Sequence, residues 1–262
     1  MLRITDVVKN LLIINVVVFL IGAFGLVDTS MLALYYPASS LFQPFQIVTH
    51  FFMHGGYMHL FFNMFALVMF GSALESLWGP KKFLFFYFIC AFGAAILHMG
   101  YTWWEVSHLE QAISQFRASP TGDNLLALGK FSSVDKESIS QLAVELSNPS
   151  SGLIDNILRQ LNDLYQAKIN IPIVGASGAI YGLLLAFGMY FPNAELMLIF
   201  LPIPIKAKYF IPILMVAELY FGVNQFSWDN IAHFAHLGGA ITGFLLILYW
   251  RRFGSRFDNH GR

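Results

Sequence analysis

Between Lys9 and Asp28 the chain runs through 18 residues, Asn10 to Val27, without a single charge, and runs of this kind recur along its length. A bilayer core about 30 Å thick is crossed by roughly 17 to 25 apolar helical residues, because every backbone amide inside it must be bonded within the segment. Further runs at Met58–Leu77, Phe83–Trp104, Ile173–Phe191, Tyr209–Gln225 and Asn230–Trp250 bring the expected spans to six. The first is read as a retained span rather than a cleaved signal, since five more follow it. Ser30 to Tyr57 is equally free of charge, but Pro37, Pro44, Gly55 and Gly56 interrupt it, which predicts a non-helical loop at membrane level. Composition agrees: the chain is 57% hydrophobic and 11% charged, where a soluble domain averages about 25% charged. An ordinary soluble enzyme is excluded. The 15 basic and 15 acidic residues cancel, so there is no electrostatic footprint for nucleic acid. The lone cysteine, Cys90, can form neither an internal disulfide nor a thiolate metal cluster.

Lysine and arginine bias in short loops sets orientation. With six spans, one side receives Arg3, Lys9, Lys81, Lys82, Lys206, Lys208, Arg251, Arg252, Arg256 and Arg262, which is 10 of the 15 basic residues. That side, holding both termini, is expected to be cytoplasmic. The opposite side receives one large insertion, Glu105 to Asn170, with eight acids against five bases. The expected organisation is residues 1–104 with spans one to three, 105–170 as a soluble, mildly acidic helical insertion, and 171–262 with spans four to six. Within the insertion, Leu153, Ile154, Ile157, Leu158, Leu161, Leu164 and Tyr165 recur at helical spacing after Ser150 and Ser151, either of which could cap the helix. A weaker helix is expected over Lys136–Leu146, and its Ile139, Leu142, Val144 and Leu146 offer a second apolar surface against which the stripe from Leu153 to Tyr165 is expected to pack. No internal repeat is visible.

Polar groups inside apolar spans are functional candidates by default. The string HGGYMHLFFN carries His54, His59 and Asn63, and residues four apart share a helix face. An imidazole and a carboxamide there offer two donors to one developing negative charge, although interhelical hydrogen bonding would use the same groups. GASGAIYG runs from Gly175 to Gly182 just after Pro172, placing Ser177 beside the free amides of a helix amino terminus. AHFAHLGGAITG carries His233, His236, Gly239 and Gly243; His233, one turn from His236, is read as a packing or hydrogen-bonding residue. Gly178 with Gly182, and Gly239 with Gly243, would let spans four and six approach closely, near enough for Ser177 and His236 to hydrogen-bond. A serine needs such a base to act as a nucleophile. All three clusters fall in the outer half of the membrane, which gathers the roles of acyl transfer at one depth. Glu218, an acid within span five, is read as a structural group bonded to a neighbouring helix.

Together these strings resemble the rhomboid intramembrane serine proteases, across all six spans in order. The resemblance implies an all-α, six-helix rhomboid-like bundle and a Ser-His dyad without a third acid, Ser177 as nucleophile and His236 as general base. It also implies an oxyanion hole made of His59, Asn63 and the Ser177 amide, with Tyr181 packed against the catalytic histidine and Glu75 structural. His54, Gly175, Gly178, Gly239 and Gly243 support the site, and no metal or other cofactor is called for. The chain departs from the pattern in two places. Phe45 and Gln46 stand where many members carry a Trp-Arg pair, and the insertion is longer than the minimal pattern.

Three rival readings make distinguishable demands. A catalytically inactive rhomboid-like protein that binds transmembrane helices would lack Ser177 or His236. A zinc protease built from His50, His54, His59, His233 and His236 would need a carboxylate beside one of them in sequence, and none has one. A transporter would show a hydropathy repeat. The expected partners are transmembrane-helix substrates, with weakly helical segments favoured because they unwind at lower cost, and membrane lipid. The partner of the insertion is not specified. The lack of a recognisable transit peptide points to a bacterial inner membrane.

Overall fold

The computed structural model describes residues 3–253 except 133, 199, 200, 225, 227, 228 and 230; Arg256 and Arg262, counted above on the basic side, lie outside these. The chain divides into two compact units. One comprises residues up to Leu34, Gln43–His98 and Ile173 onward, and the other Tyr35–Phe42 with Met99–Pro172.

In the first unit, helix α1 spans Asp6–Ala23, starting four residues before the expected Asn10. The earlier start has a physical cause in Glu75. Its buried carboxylate accepts the amides of Val7 (3.1 Å) and Val8 (3.0 Å) and the Thr5 hydroxyl, filling the acceptor role that a helix amino terminus leaves open. The helix stops at Ala23, and Gly25 takes a left-handed φ of 67° just beyond it. The expected loop is mostly irregular but contains short helical turns at Thr29–Leu32, at α2 (Gln46–Thr49) and at His50–Phe52. Gln46 is fully buried and ties the loop to itself. Its Nε2 donates to the Met31 carbonyl (3.0 Å) and its Oε1 accepts the Gln43 amide (3.0 Å).

Helices α3 (Tyr57–Ala66) and α4 (Ser72–Trp78) are joined by a widened π turn over Leu67–Gly71. Gly79, at φ 81°, ends α4, and Pro80 opens α5 (Pro80–Ala118), a first-turn place where its missing N–H costs nothing. After α5 come α6 (Gly122–Leu128), α7 (Lys136–Glu145) and α8 (Leu153–Ile169), which belong to the second unit. The first unit resumes with α9 (Ser177–Tyr190), a hairpin of β1 (Glu195–Leu198) and β2 (Leu201–Lys206), α10 (Ala207–Asn224) and α11 (His233–Phe253). The hairpin is antiparallel, pairing Glu195 with Lys206 and Leu196 with Ile205.

Among the described residues four helical stretches are long and apolar enough to cross a membrane: α1, α3 through α4, α5 and α11. Helix α9 is apolar but only 14 residues long, because Ile173, expected to begin span four, is bridged to Leu34 in extended conformation instead. Exposed apolar side chains such as Ile13, Val17, Phe65 and Leu245 on these helices, and Ile213 and Val216 on α10, form the outward surface of a protein whose solvent is lipid. The inward core gathers Leu67, Leu74, Phe83, Phe86, Tyr87 and Leu183.

The second unit has its own core, in which Leu109 and Phe116 of α5 meet Leu125, Leu128, Ile139 and Leu161. The α8 stripe is thus covered internally, as are Ile139 and Leu146, whereas Val144, expected on the same surface, is exposed. Helix α5 does not break where charge begins after Trp104 but continues to Ala118. The cap of α8 is Gly152 in left-handed conformation, φ 85°, and not Ser150 or Ser151; the Ser150 carbonyl accepts the Leu153 amide.

Candidate active site

Helix α9 begins at Ser177 itself, so the amides of Ser177, Gly178 and Ala179 occupy a first turn that has no intrahelical acceptors. The sharp entry depends on Gly175, which takes a φ of 118° and donates its amide to the His50 carbonyl at 2.9 Å. A Cβ at Gly175 would lie 2.9 Å from His59 Nε2 and 3.6 Å from Ser177 Oγ. The missing side chain therefore leaves open the space between these two groups.

Helices α9 and α11 meet almost backbone to backbone. A Cβ on Gly239 would collide with the Gly178 carbonyl, and one on Gly243 would stand 3.3 Å from Gly182 Cα. Helix α5 supplies a third wall that the sequence reading did not anticipate. Ala94 blocks any side chain at Gly178, and Cys90 Sγ lies 3.2 Å from a Cβ at Gly243.

That approach brings Ser177 Oγ to 3.0 Å from His236 Nε2. The His236 ring stacks on Tyr181, with centroids 4.1 Å apart and planes at 7°. Its other nitrogen, Nδ1, donates to Glu218 Oε2 at 3.0 Å. A carboxylate has no proton to give, so Nδ1 carries the hydrogen and Nε2 is left as the acceptor for the serine hydroxyl. Glu218, buried in α10, also accepts from His233 Nδ1 at 2.6 Å and from the Tyr181 hydroxyl, and His233 Nε2 reaches Asp229 Oδ2 at 2.9 Å. The resemblance implies no third acid; in this chain an acid does stand behind the histidine.

The other expected donors are placed unequally. His59 Nδ1 accepts the Gly55 amide at 3.3 Å, which puts its proton on Nε2, the atom facing Gly175. Asn63 is buried and gives one N–H to the His59 carbonyl one turn back, at 2.9 Å. His54 is buried with its ring edge-on to His59, centroids 5.1 Å apart. His50 instead turns its Nδ1 to the Gln46 carbonyl at 2.6 Å.

Glu218, His233 and His236 have ligand atoms within 4.8 Å of one another. Donors around a tetrahedral zinc sit roughly 3.3 Å apart, and here both Nδ1 atoms approach Oε2 at 2.6 and 3.0 Å. The spacing is that of hydrogen bonds. Sequence reasoning named Glu218 and His233 but gave them only structural parts. Their signal was the spacing of Asp229, His233 and His236, which face one side of a helix beginning, together with an acid buried in an apolar span.

A family model described as Rhomboid domain matches residues 41–103 and 137–253. The chain belongs to the rhomboid family. Both matched stretches carry parts of the cluster just described, while residues 104–136 fall outside the match. Rhomboid protein 1, mitochondrial, of Saccharomyces cerevisiae is 26% identical over 234 residues, 86% of this chain and 62% of its own length. An uncharacterised mitochondrial rhomboid protein of Schizosaccharomyces pombe is 28% identical over 215 residues, 79% of this chain and 51% of its own. Rhomboid-like protease 3 of Toxoplasma gondii is 37% identical over 75 residues, 29% of this chain and 28% of its own. The chain thus spans between 28 and 62% of the length of these relatives.

Proposed function

We propose that this rhomboid protein is an intramembrane serine endopeptidase that cleaves transmembrane substrates. The observation that carries this reading is the 3.0 Å contact between Ser177 Oγ and His236 Nε2, with the histidine held in the tautomer that can accept a proton. As Ser177 Oγ bonds to the scissile carbonyl carbon, its proton passes to His236 Nε2. The carbonyl oxygen gains the negative charge, which the Ser177 amide, His59 Nε2–H and the second Asn63 N–H would meet. The C–N bond then breaks as His236 returns the proton to the leaving amine. Water then bonds to the acyl carbon as its proton passes to His236 Nε2, and the bond from that carbon to Ser177 Oγ breaks as His236 returns the proton to the serine oxygen.

Six spans fit this chemistry, with α9 and α10 added to the four stretches that are both long and apolar enough to cross a membrane, and the basic side taken as the side of both termini. A bacterial inner membrane is not favoured by the relatives, two of which are named as mitochondrial. Glu105–Asn170 is proposed as a soluble insertion contributing none of the reacting groups.

The test is cleavage of a transmembrane substrate in proteoliposomes, with the new termini located by mass spectrometry. A cut within or beside the hydrophobic segment supports the reading, and binding without cleavage would favour the inactive, helix-binding alternative. In the same assay Asn63→Ala is expected to lower kcat by about 10- to 1,000-fold, the loss that accompanies one oxyanion donor. A rise in KM at unchanged kcat would instead make Asn63 a group that positions substrate.

A further inference from the structure

The geometry points to Glu218 as a positioning residue that sets the tautomer and orientation of His236, with His233 and Asp229 holding Glu218 in place. This rests on the protease reading above and adds an acid to its dyad.

Glu218 Oε2 accepts from both His236 Nδ1 (3.0 Å) and His233 Nδ1 (2.6 Å), while Oε1 accepts from the Tyr181 hydroxyl. Three bonds on two oxygens are within a carboxylate's capacity, so the group is satisfied only if it stays ionised. Ionised and buried, it needs a compensating charge. His233 is placed to supply one. Its two ring nitrogens face carboxylate oxygens of Glu218 and Asp229 at 2.6 and 2.9 Å, so a ring that carries both protons donates one to each carboxylate. Asp229 lies between α10 and α11. Burial works against its charge, but bonds from the Ile231 amide and from His233 hold its carboxyl below the usual range.

The resulting order is Asp229, His233, Glu218, His236, Ser177, in which each histidine donates to the carboxylates beside it and His236 accepts the hydroxyl of the nucleophile. Tyr181 adds a second tie, since it stacks on His236 and bonds Glu218 with the same side chain. Among the described residues, His233 and Tyr181 also stand beside the His236 ring, and the carboxylate hydrogen-bonded to it is that of Glu218. When His236 takes the Ser177 proton on Nε2, its Nδ1–H remains on nitrogen and points at that charge. Glu218 itself is never protonated in the step. A carboxylate in this relation to a catalytic histidine fixes the ring and favours its charged form.

The deciding experiment compares Glu218→Gln and Glu218→Asp with wild type in proteoliposomes, reading kcat and KM separately, together with thermal stability. Glu218→Gln is expected to lower kcat by about 100- to 10,000-fold at nearly unchanged KM and Tm, because the amide can present N–H to Nδ1 and stabilise the wrong tautomer. Glu218→Asp should recover part of that loss. Wild-type kcat in Glu218→Gln overturns the proposal, as does equal loss in the two variants accompanied by a lowered Tm, the signature of a packing group. Should Glu218→Gln not fold, Asp229→Asn decides in its place. It is expected to lower kcat about 10- to 100-fold, as loss of an outer supporting group does, and unchanged kcat would overturn the proposal. A wild-type protein inert toward every substrate would instead remove the protease reading, and the proposal with it.

Discussion

Ser177→Ala and His236→Ala are each expected to abolish cleavage of a transmembrane substrate while leaving the protein folded, and the double variant should be no worse than either. The reason is geometric. Ser177 Oγ has a base at 3.0 Å and is a poor nucleophile without it, so loss of either partner removes the same proton transfer and the losses do not add. Folding should survive because the tight contacts between α9 and α11 are made by Gly178, Gly182, Gly239 and Gly243 rather than by the reacting side chains. Product analysis by mass spectrometry, with thermal unfolding on the same samples, provides the check. Substantial turnover in either single variant would contradict a serine mechanism.

Gly239→Val is expected to be almost as damaging although residue 239 touches no reacting atom. Its Cβ would fall on the Gly178 carbonyl, and backbone cannot rotate away as a flexible side chain can. The helices must separate, which lengthens the Ser177 to His236 contact, and misplacement by about 1 Å costs on the order of 100-fold in rate. The matching control is Gly100→Ala, since Gly100 has open space where a Cβ would stand and alanine is the better helix former by roughly 1 kcal/mol. Activity assays on both variants decide the point. Normal turnover in Gly239→Val would refute the close-packing explanation, and equal damage in Gly100→Ala would show that any glycine replacement in these helices is harmful.

The site was legible to the extent that chemistry stands out against an apolar background. Ser177, His236, His59 and Asn63 are polar groups in stretches that otherwise contain almost none, and the four-residue glycine spacings announce which helix faces come together. What hydropathy does not encode is how each helix is rotated about its axis. Glu218 was recognisable as an inward-facing acid, but nothing in Tyr209–Gln225 says whether it faces Tyr181, His236 or some other donor. His233 is ambiguous in the sequence for the same reason, since its meaning depends on Asp229 and Glu218 both reaching it.

The fold was legible where charge and helix end together and obscure where they do not. The apolar part of α5 stops near Trp104, yet no proline lies between there and Pro120 to stop the helix, so it carries on into polar sequence. The start of α1 is hidden from local sequence because its amino terminus is completed by Glu75, a residue remote along the chain. The hairpin between α9 and α10 has prolines in β2 at positions 202 and 204, which argue against a strand except at a sheet edge. In a two-stranded hairpin every strand is an edge. Gln46 shows the reverse case, a residue that departs from the family's Trp-Arg pair and nevertheless secures the first loop, by bonds to Met31 and Gln43.

The most direct measurement of whether Ser177 is an activated nucleophile is reaction of the purified, membrane-reconstituted protein with a fluorophosphonate probe, followed by mass spectrometry of the adduct. One phosphonyl group on Ser177 in the wild type, none in Ser177→Ala and greatly slowed labelling in His236→Ala is the expected result. A folded wild-type protein that gains no adduct, or an adduct that persists in Ser177→Ala, would contradict it.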